Sequence, residues 1–136
     1  MRLTEEEYRA LVGTPPTKSK YNNRKAEYYD PQLKKTITFD SEKERDYYLI
    51  LKDREKRGEI TNLKRQVPIE IQEAFTDSKG NKIRAINYIA DFTYSDVKEG
   101  KYYGDYHIID TKGMRTEVYK LKKKLLAYKG IYIEEV

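Results

Sequence analysis

Tyr106-His107-Ile108-Ile109-Asp110-Thr111-Lys112-Gly113 is an apolar run that ends in an acid and a lysine. Read as a strand, it puts Asp110 and Lys112 on one face and Thr111 on the other, because side chains two apart share a face. A second acid lies upstream in Ile89-Ala90-Asp91-Phe92, and Glu99-Gly100-Lys101-Tyr102 separates the two runs. Glycine at the first central position suits a two-residue type II′ hairpin turn. A turn on Gly100-Lys101 pairs Glu99 with Tyr102 and, counted back along both strands, sets Asp91 opposite Asp110. Directly opposed like charges destabilise a sheet, so something must compensate. Lys112 is one neutralising group, which makes the simplest reading a surface hairpin with an Asp/Lys/Asp salt-bridge cluster. A divalent cation is the better one, since Mg²⁺ takes oxygen ligands from one or two carboxylates plus phosphate.

Working outward, Gly113 ends the strand and Thr116 caps a helix with Val118, Leu121, Leu125 and Tyr128 on the face expected to be buried. Gly130 closes that helix, and residues 131–136 form a final strand. The strand-helix-strand step predicts a right-handed crossover that returns a parallel strand to the sheet. Upstream, residues 60–72 alternate, with Leu63, Arg65, Val67, Ile69 and Ile71 expected on one side and Pro68 marking an edge or a bend. Asp77-Ser78-Lys79-Gly80-Asn81 is a turn. Before that, Ser41 caps a helix that Gly58 ends, with Glu44 at the reciprocal capping position. Glu44 precedes Tyr47 and Tyr48 by one turn and Leu51 by two, so it leans toward the apolar stripe. From Ser41 the order is α-β-β-β-α-β, an α/β fold with a mixed central sheet flanked by helices. Thr36–Phe39 is a brief strand. Residues 14–35 read as a polar, basic surface arm, and Thr4–Glu7 as a capping box opening a short helix that ends at Gly13. The expected organisation is therefore a helix and arm over 1–35 and a core over 36–136.

The chain has 136 residues, no cysteine, one histidine and 14 tyrosines. That excludes a disulfide framework and thiolate metal sites, and it leaves little room for zinc centres or histidine triads. The lone His107 falls on the opposite face from Asp110, so it is not expected to act as a general base. No apolar run approaches the length needed to span a bilayer, and the first residues are too acidic for a signal peptide. The expectation is a soluble cytoplasmic protein without membrane contact. Net charge is +5, and residues 112–129 hold seven basic residues against Glu117 alone. The rest of the chain is close to neutral. A basic helix beside a carboxylate cluster suits a phosphodiester substrate, because phosphates need neutralising and a metal needs anions. The plainer alternative is a solvated lysine face.

Asp91 followed 19 residues later by Asp110-Thr111-Lys112, in this order of elements, resembles the PD-(D/E)xK nuclease superfamily. Its signature is an acid on the second core strand and acid-x-Lys on the third. Lys20–Asn23, Thr38–Glu44, Tyr88–Phe92 and Tyr119–Leu125 also resemble a group of small phage-encoded proteins thought to belong to that superfamily. The likeness covers about residues 20–136. Ala90 stands where the motif has proline, and Asp110 is the less common of the two permitted acids.

The resemblance implies a metal-dependent DNA endonuclease. Asp91 and Asp110 would hold Mg²⁺ or Mn²⁺ with the Thr111 carbonyl, and Glu44 would add a ligand directly or through water. Lys112 would orient the attacking water and stabilise charge developing on the phosphate. The expected DNA contacts are Arg115, Lys120, Lys122, Lys123 and Lys124 on the basic helix, with Lys20 and Arg24 on the arm. Phage kinship narrows the substrate to branched DNA such as a Holliday junction, where symmetric cuts would require a homodimer. The alternatives are a non-catalytic nucleic-acid-binding protein with the same fold and a subunit that is active only with a partner.

Overall fold

Residues 24–98, 104–111 and 115–136 are described by a computed structural model. The expected N-terminal helix, Lys20, the Gly100-Lys101 turn, Lys112 and Gly113 lie outside those residues. The described residues open with a hairpin of β1 (Ala26–Asp30) and β2 (Lys35–Phe39), followed by helix α1 (Glu42–Lys56). Then come β3 (Ile60–Gln72), the short β4 (Phe75–Thr76) and β5 (Lys82–Ile83), β6 (Ile86–Asp96) and β7 (Tyr106–Asp110). Helix α2 (Glu117–Tyr128) and β8 (Glu134–Glu135) complete it. The central sheet runs β3-β6-β7-β8. Its first three strands are antiparallel neighbours, and β8 returns parallel to β7. This is a mixed α/β fold in the expected order, and β3, which carries Pro68, lies at an edge.

Local sequence signals set the helix ends. Ser41 Oγ accepts from Glu44 N at 3.1 Å, and Thr116 Oγ1 accepts from Tyr119 N at 3.1 Å. Both helices close in the same way, on a glycine at φ near +80°. Gly58 N bonds Glu55 O and Glu59 N bonds Arg54 O, while Gly130 N and Ile131 N do the same to Ala127 O and Leu126 O. These paired bonds satisfy the last free carbonyls, and they need a left-handed residue that glycine supplies without strain.

Two apolar clusters cover the two faces of the sheet. Tyr48 and Leu51 of α1 pack with Phe39, Phe92, Tyr94 and Ile109 on one face. On the other, Leu126 of α2 packs with Ile71, Tyr88, Ala90 and Ile108. The adjacent residues Ile108 and Ile109 therefore face opposite ways, as a regular strand requires. β6 does not keep that rule, since Tyr88 and Ala90 face α2 whereas Phe92 and Tyr94 face α1. β3 reverses at the same level. Leu63 packs with the α1 cluster and Arg65 lies 4.4 Å over the Phe39 ring, while Ile69 and Ile71 belong to the α2 side. The expectation that Leu63 through Ile71 share one face is therefore corrected. The change of face falls between Arg65 and Val67, at Gln66, whose backbone is left-handed at φ 51°.

Two further expectations change. Residues 26–30 are a strand rather than part of a surface arm, because Ala26, Tyr28 and Asp30 alternate inward against β2. Tyr28 and Phe39 then contact the Tyr48 ring, with centroids 6.3 and 5.2 Å apart. On α2 the stripe of Leu121, Leu125 and Tyr128 is exposed, and Tyr128 is 92% accessible. The helix instead buries Leu126 and packs Tyr119 on the core. On the same side, Glu135 of β8 pairs with Lys123 of α2 and with Arg115 just before it.

Candidate carboxylate site

The β6–β7 register is Phe92↔Ile109, Thr93↔Ile108, Tyr94↔His107 and Ser95↔Tyr106. This is the pairing that the sequence predicted, and Asp91 and Asp110 are the residues that follow its last pair, Phe92↔Ile109, along their strands. Both acids are buried, with exposures of 1% and 2%, and Glu44 at 2% comes in from the first turn of α1. Helix, second strand and third strand thus each deliver one buried acid to the same end of the sheet.

Each acid has a defined donor. Thr111 gives Asp91 Oδ2 two hydrogen bonds, from its backbone N at 2.8 Å and its Oγ1 at 2.9 Å. The Tyr88 hydroxyl donates to Asp110 Oδ2. Gln66 Nε2 donates to Glu44 Oε1 at 3.0 Å. Burial, then the negative charge of Asp91 and then that of Asp40, pushes the Glu44 carboxyl up to about 7. The Asp40 backbone amide and Arg65 oppose this without reversing it. Burial and the bond to Asp110 likewise push the Tyr88 hydroxyl well above its usual range, with Asp91 contributing further down the order. The charge of Asp91 therefore bears on both Glu44 and Tyr88.

Hard oxygen donors from three carboxylates fit Mg²⁺ or Mn²⁺ in kind. Among the described residues, however, no three His, Asp or Glu side chains are already grouped as a metal cage. The structure brings Glu44 under the charge of Asp91, with Asp91 held on Thr111 and Asp110 on Tyr88. The Thr111 side chain serves Asp91 as a donor, a role distinct from the carbonyl ligand expected from the sequence. Lys112 lies outside the described residues.

The expected DNA contacts separate into two groups. Lys123 and Arg115 are engaged with Glu135, and Lys120 pairs with Glu117 at 3.2 Å. Lys122, Lys124 and Arg24 form no ion pair among the described residues, and Lys124 and Arg24 are exposed. His107 sits on the α1 side, stacked on Tyr94 at 4.8 Å, with Nδ1 2.6 Å from Glu134 Oε1 and Nε2 2.8 Å from Asp96 Oδ2. It is turned away from Asp110, as its strand position predicted.

The sequence reading missed Gln66 and Tyr88. Tyr88 precedes Asp91 by three residues, a spacing that a regular strand would send to the other face. The signal for Gln66 was weaker still, because nothing in Lys64-Arg65-Gln66-Val67 announces a left-handed residue. A family model described as a protein of unknown function, DUF1064, matches residues 18–135. The chain belongs to the DUF1064 family. No curated protein matches it. All three acids and their described donors lie inside the DUF1064 match. No helix among the described residues of this DUF1064 chain is long and apolar enough to cross a membrane.

Proposed function

We propose that this chain is a metal-dependent DNA endonuclease that hydrolyses phosphodiester bonds, with Asp91, Asp110 and Glu44 as its metal-holding acids. The observation that carries the reading is the delivery of three buried acids to one end of the sheet, where burial and the charge of Asp91 raise Glu44 to about 7. The resemblance of Asp91 and Asp110-Thr111-Lys112 to the PD-(D/E)xK pattern supports the same assignment.

A divalent cation held there would polarise a phosphoryl oxygen and lower the pKa of a bound water. Asp91 and Asp110 would hold it, each steadied by Thr111 and Tyr88. Glu44 would give up its proton as it joins them. Lys112 would orient the water and stabilise charge developing on the phosphate. Exposed cations on α2, Lys124 foremost, would track the DNA backbone with Lys20 and Arg24, in the cytoplasm of a host cell if the phage kinship holds. Branched DNA cut by a homodimer is the narrower form of this proposal. A second reading draws on the bond from Tyr88 to Asp110, which occupies an acid that the metal would need. It takes the chain as a partner-dependent subunit or a non-catalytic DNA-binding protein.

The deciding assay is purified protein with Mg²⁺ or Mn²⁺ on labelled linear, nicked and four-way DNA, beside Asp91→Ala. We expect metal-dependent cutting that the substitution abolishes while DNA binding survives or tightens. Cutting without added metal, or more than a few per cent of the rate left in the variant, would overturn the reading.

A further inference from the structure

Gln66 combines two features that have no shared cause in its own sequence. Its backbone is left-handed in the interior of a strand, which is uncommon for a residue with a side chain and is concentrated at functional sites. Its amide reaches across to the buried Glu44 carboxylate at 3.0 Å. The register explains why these belong together. Arg65 pairs with Phe92 and Val67 with Ala90, so Gln66 lies across the ladder from Asp91. At this level β3 and β6 both pass from the α1 face to the α2 face, while β7 keeps a regular alternation through Ile108 and Ile109. An undistorted β6 would carry Phe92 and Ala90 on the same face and Asp91 on the other, away from α1. With the reversal, Asp91 sits at the crossing point, where Thr111 binds it and Glu44 feels its charge.

We propose that Gln66 is the positioning residue of the carboxylate site: its left-handed backbone sets the direction of Asp91, and its amide holds Glu44 beside that acid. The inference deepens the nuclease reading and rests on it for its functional meaning. Its geometry can be tested without metal or DNA. Gln66→Gly keeps the left-handed backbone and removes the amide, whereas Gln66→Val removes the amide and resists the backbone. Gln66→Asn tolerates the backbone and keeps a shorter amide.

The first readout is hydrogen exchange of the Thr111 backbone amide, which Asp91 accepts. We expect the glycine and asparagine variants to match the parent within about twofold, and the valine variant to exchange about tenfold faster or more. The second readout is the Gln66 side-chain amide by NMR, which Glu44→Ala should shift and expose to exchange. In cleavage assays Gln66→Gly should lower kcat about tenfold at unchanged KM for DNA, with partial recovery in Gln66→Asn. Equal Thr111 exchange in the glycine variant and in a folded valine variant would overturn the backbone role, as would loss of Thr111 protection in the glycine variant. An unmoved Gln66 amide in Glu44→Ala would overturn the other half. If no variant of the chain, nor the parent, cuts DNA, the nuclease reading fails while these two exchange measurements still decide the role of Gln66.

Discussion

Acids from several elements gather at both ends of the ladder that β6 shares with β7, and the two ends meet the cost of that charge differently. At one end Asp96 and Glu134 bracket His107, 2.8 and 2.6 Å from its two nitrogens. Burial disfavours the imidazolium there, but the bonds to the two acids outweigh it and raise the pKa of His107. A titratable cation is thus built into the fold. At the other end the donors described for Glu44, Asp91 and Asp110 are Gln66, Thr111 and Tyr88, all neutral. There burial, followed by the charges of Asp91 and Asp40, pushes the Glu44 carboxyl up to about 7, with Arg65 opposing. The first end is electrically closed by its own histidine. The second gathers three buried acids, of which Glu44 has its carboxyl raised to about 7.

The sharpest break between the two ends should appear in activity. Asp110→Ala is expected to abolish cleavage, whereas Asp96→Ala should leave kcat within a few-fold of the parent; equal losses would erase the distinction. Next in size is a stability effect. Glu44 is raised in the folded state from an ordinary value of 4.5 to about 7, so its contribution is full below pH 4.5 and is lost as pH rises through 7. Urea unfolding without divalent cation should show Glu44→Gln gaining on the parent by as much as about 3 kcal/mol between pH 4 and pH 8. A pH-independent gap would mean that Glu44 is already ionised at neutral pH.

His107→Gln should act with the opposite order of stabilities. The raised imidazole stabilises fully below its unfolded pKa and loses that contribution as pH climbs through its folded value. The variant is therefore expected to be less stable by about 1 kcal/mol near pH 6, with the gap closing in alkaline solution, since Glu134 is half exposed. Smallest is the effect of the basic helix on affinity. Lys120, Lys122 and Lys124 replaced together by Gln should flatten the slope of log K against log salt by roughly 2 to 3 units, at about −0.9 per phosphate contact. Their melting temperature should barely move, whereas Lys123→Gln should lower it by releasing Glu135. An unchanged salt slope would move the DNA track away from α2.

What could be read in the sequence was what depends on near neighbours along the chain. Ser41, Thr116, Gly58 and Gly130 mark their helix ends through bonds that span a few residues. The β6–β7 register follows from counting, because a short hairpin fixes pairing for both strands. Glu44 was legible as buried because its spacing from Tyr48 and Leu51 is helical. What escaped depends on partners far away. The face that α2 buries is the one that packs Leu126 and Tyr119 on the sheet, and a helix with apolar residues at both 118/121/125/128 and 119/126 offers no internal means to decide. The reversal at Gln66 belongs to two strands at once, and strict alternation along β3 hides it. Tyr88 reaches Asp110 only because of that reversal.

The parallel return of β8 also bears on the order in which the chain assembles. The ladder of β3, β6 and β7 is antiparallel and joins neighbours in the central sheet, whereas Ile109↔Glu134 and the bond from Val136 N to Asp110 O close only after α2 has been laid across the sheet. Parallel pairings with an intervening helix close larger loops and form slowly. The strand that carries Asp110 should therefore gain its second neighbour last. Asp110 would then lie at a still-wet, high-dielectric edge through most of folding and would be buried only once the rest of the sheet is in place to hold it.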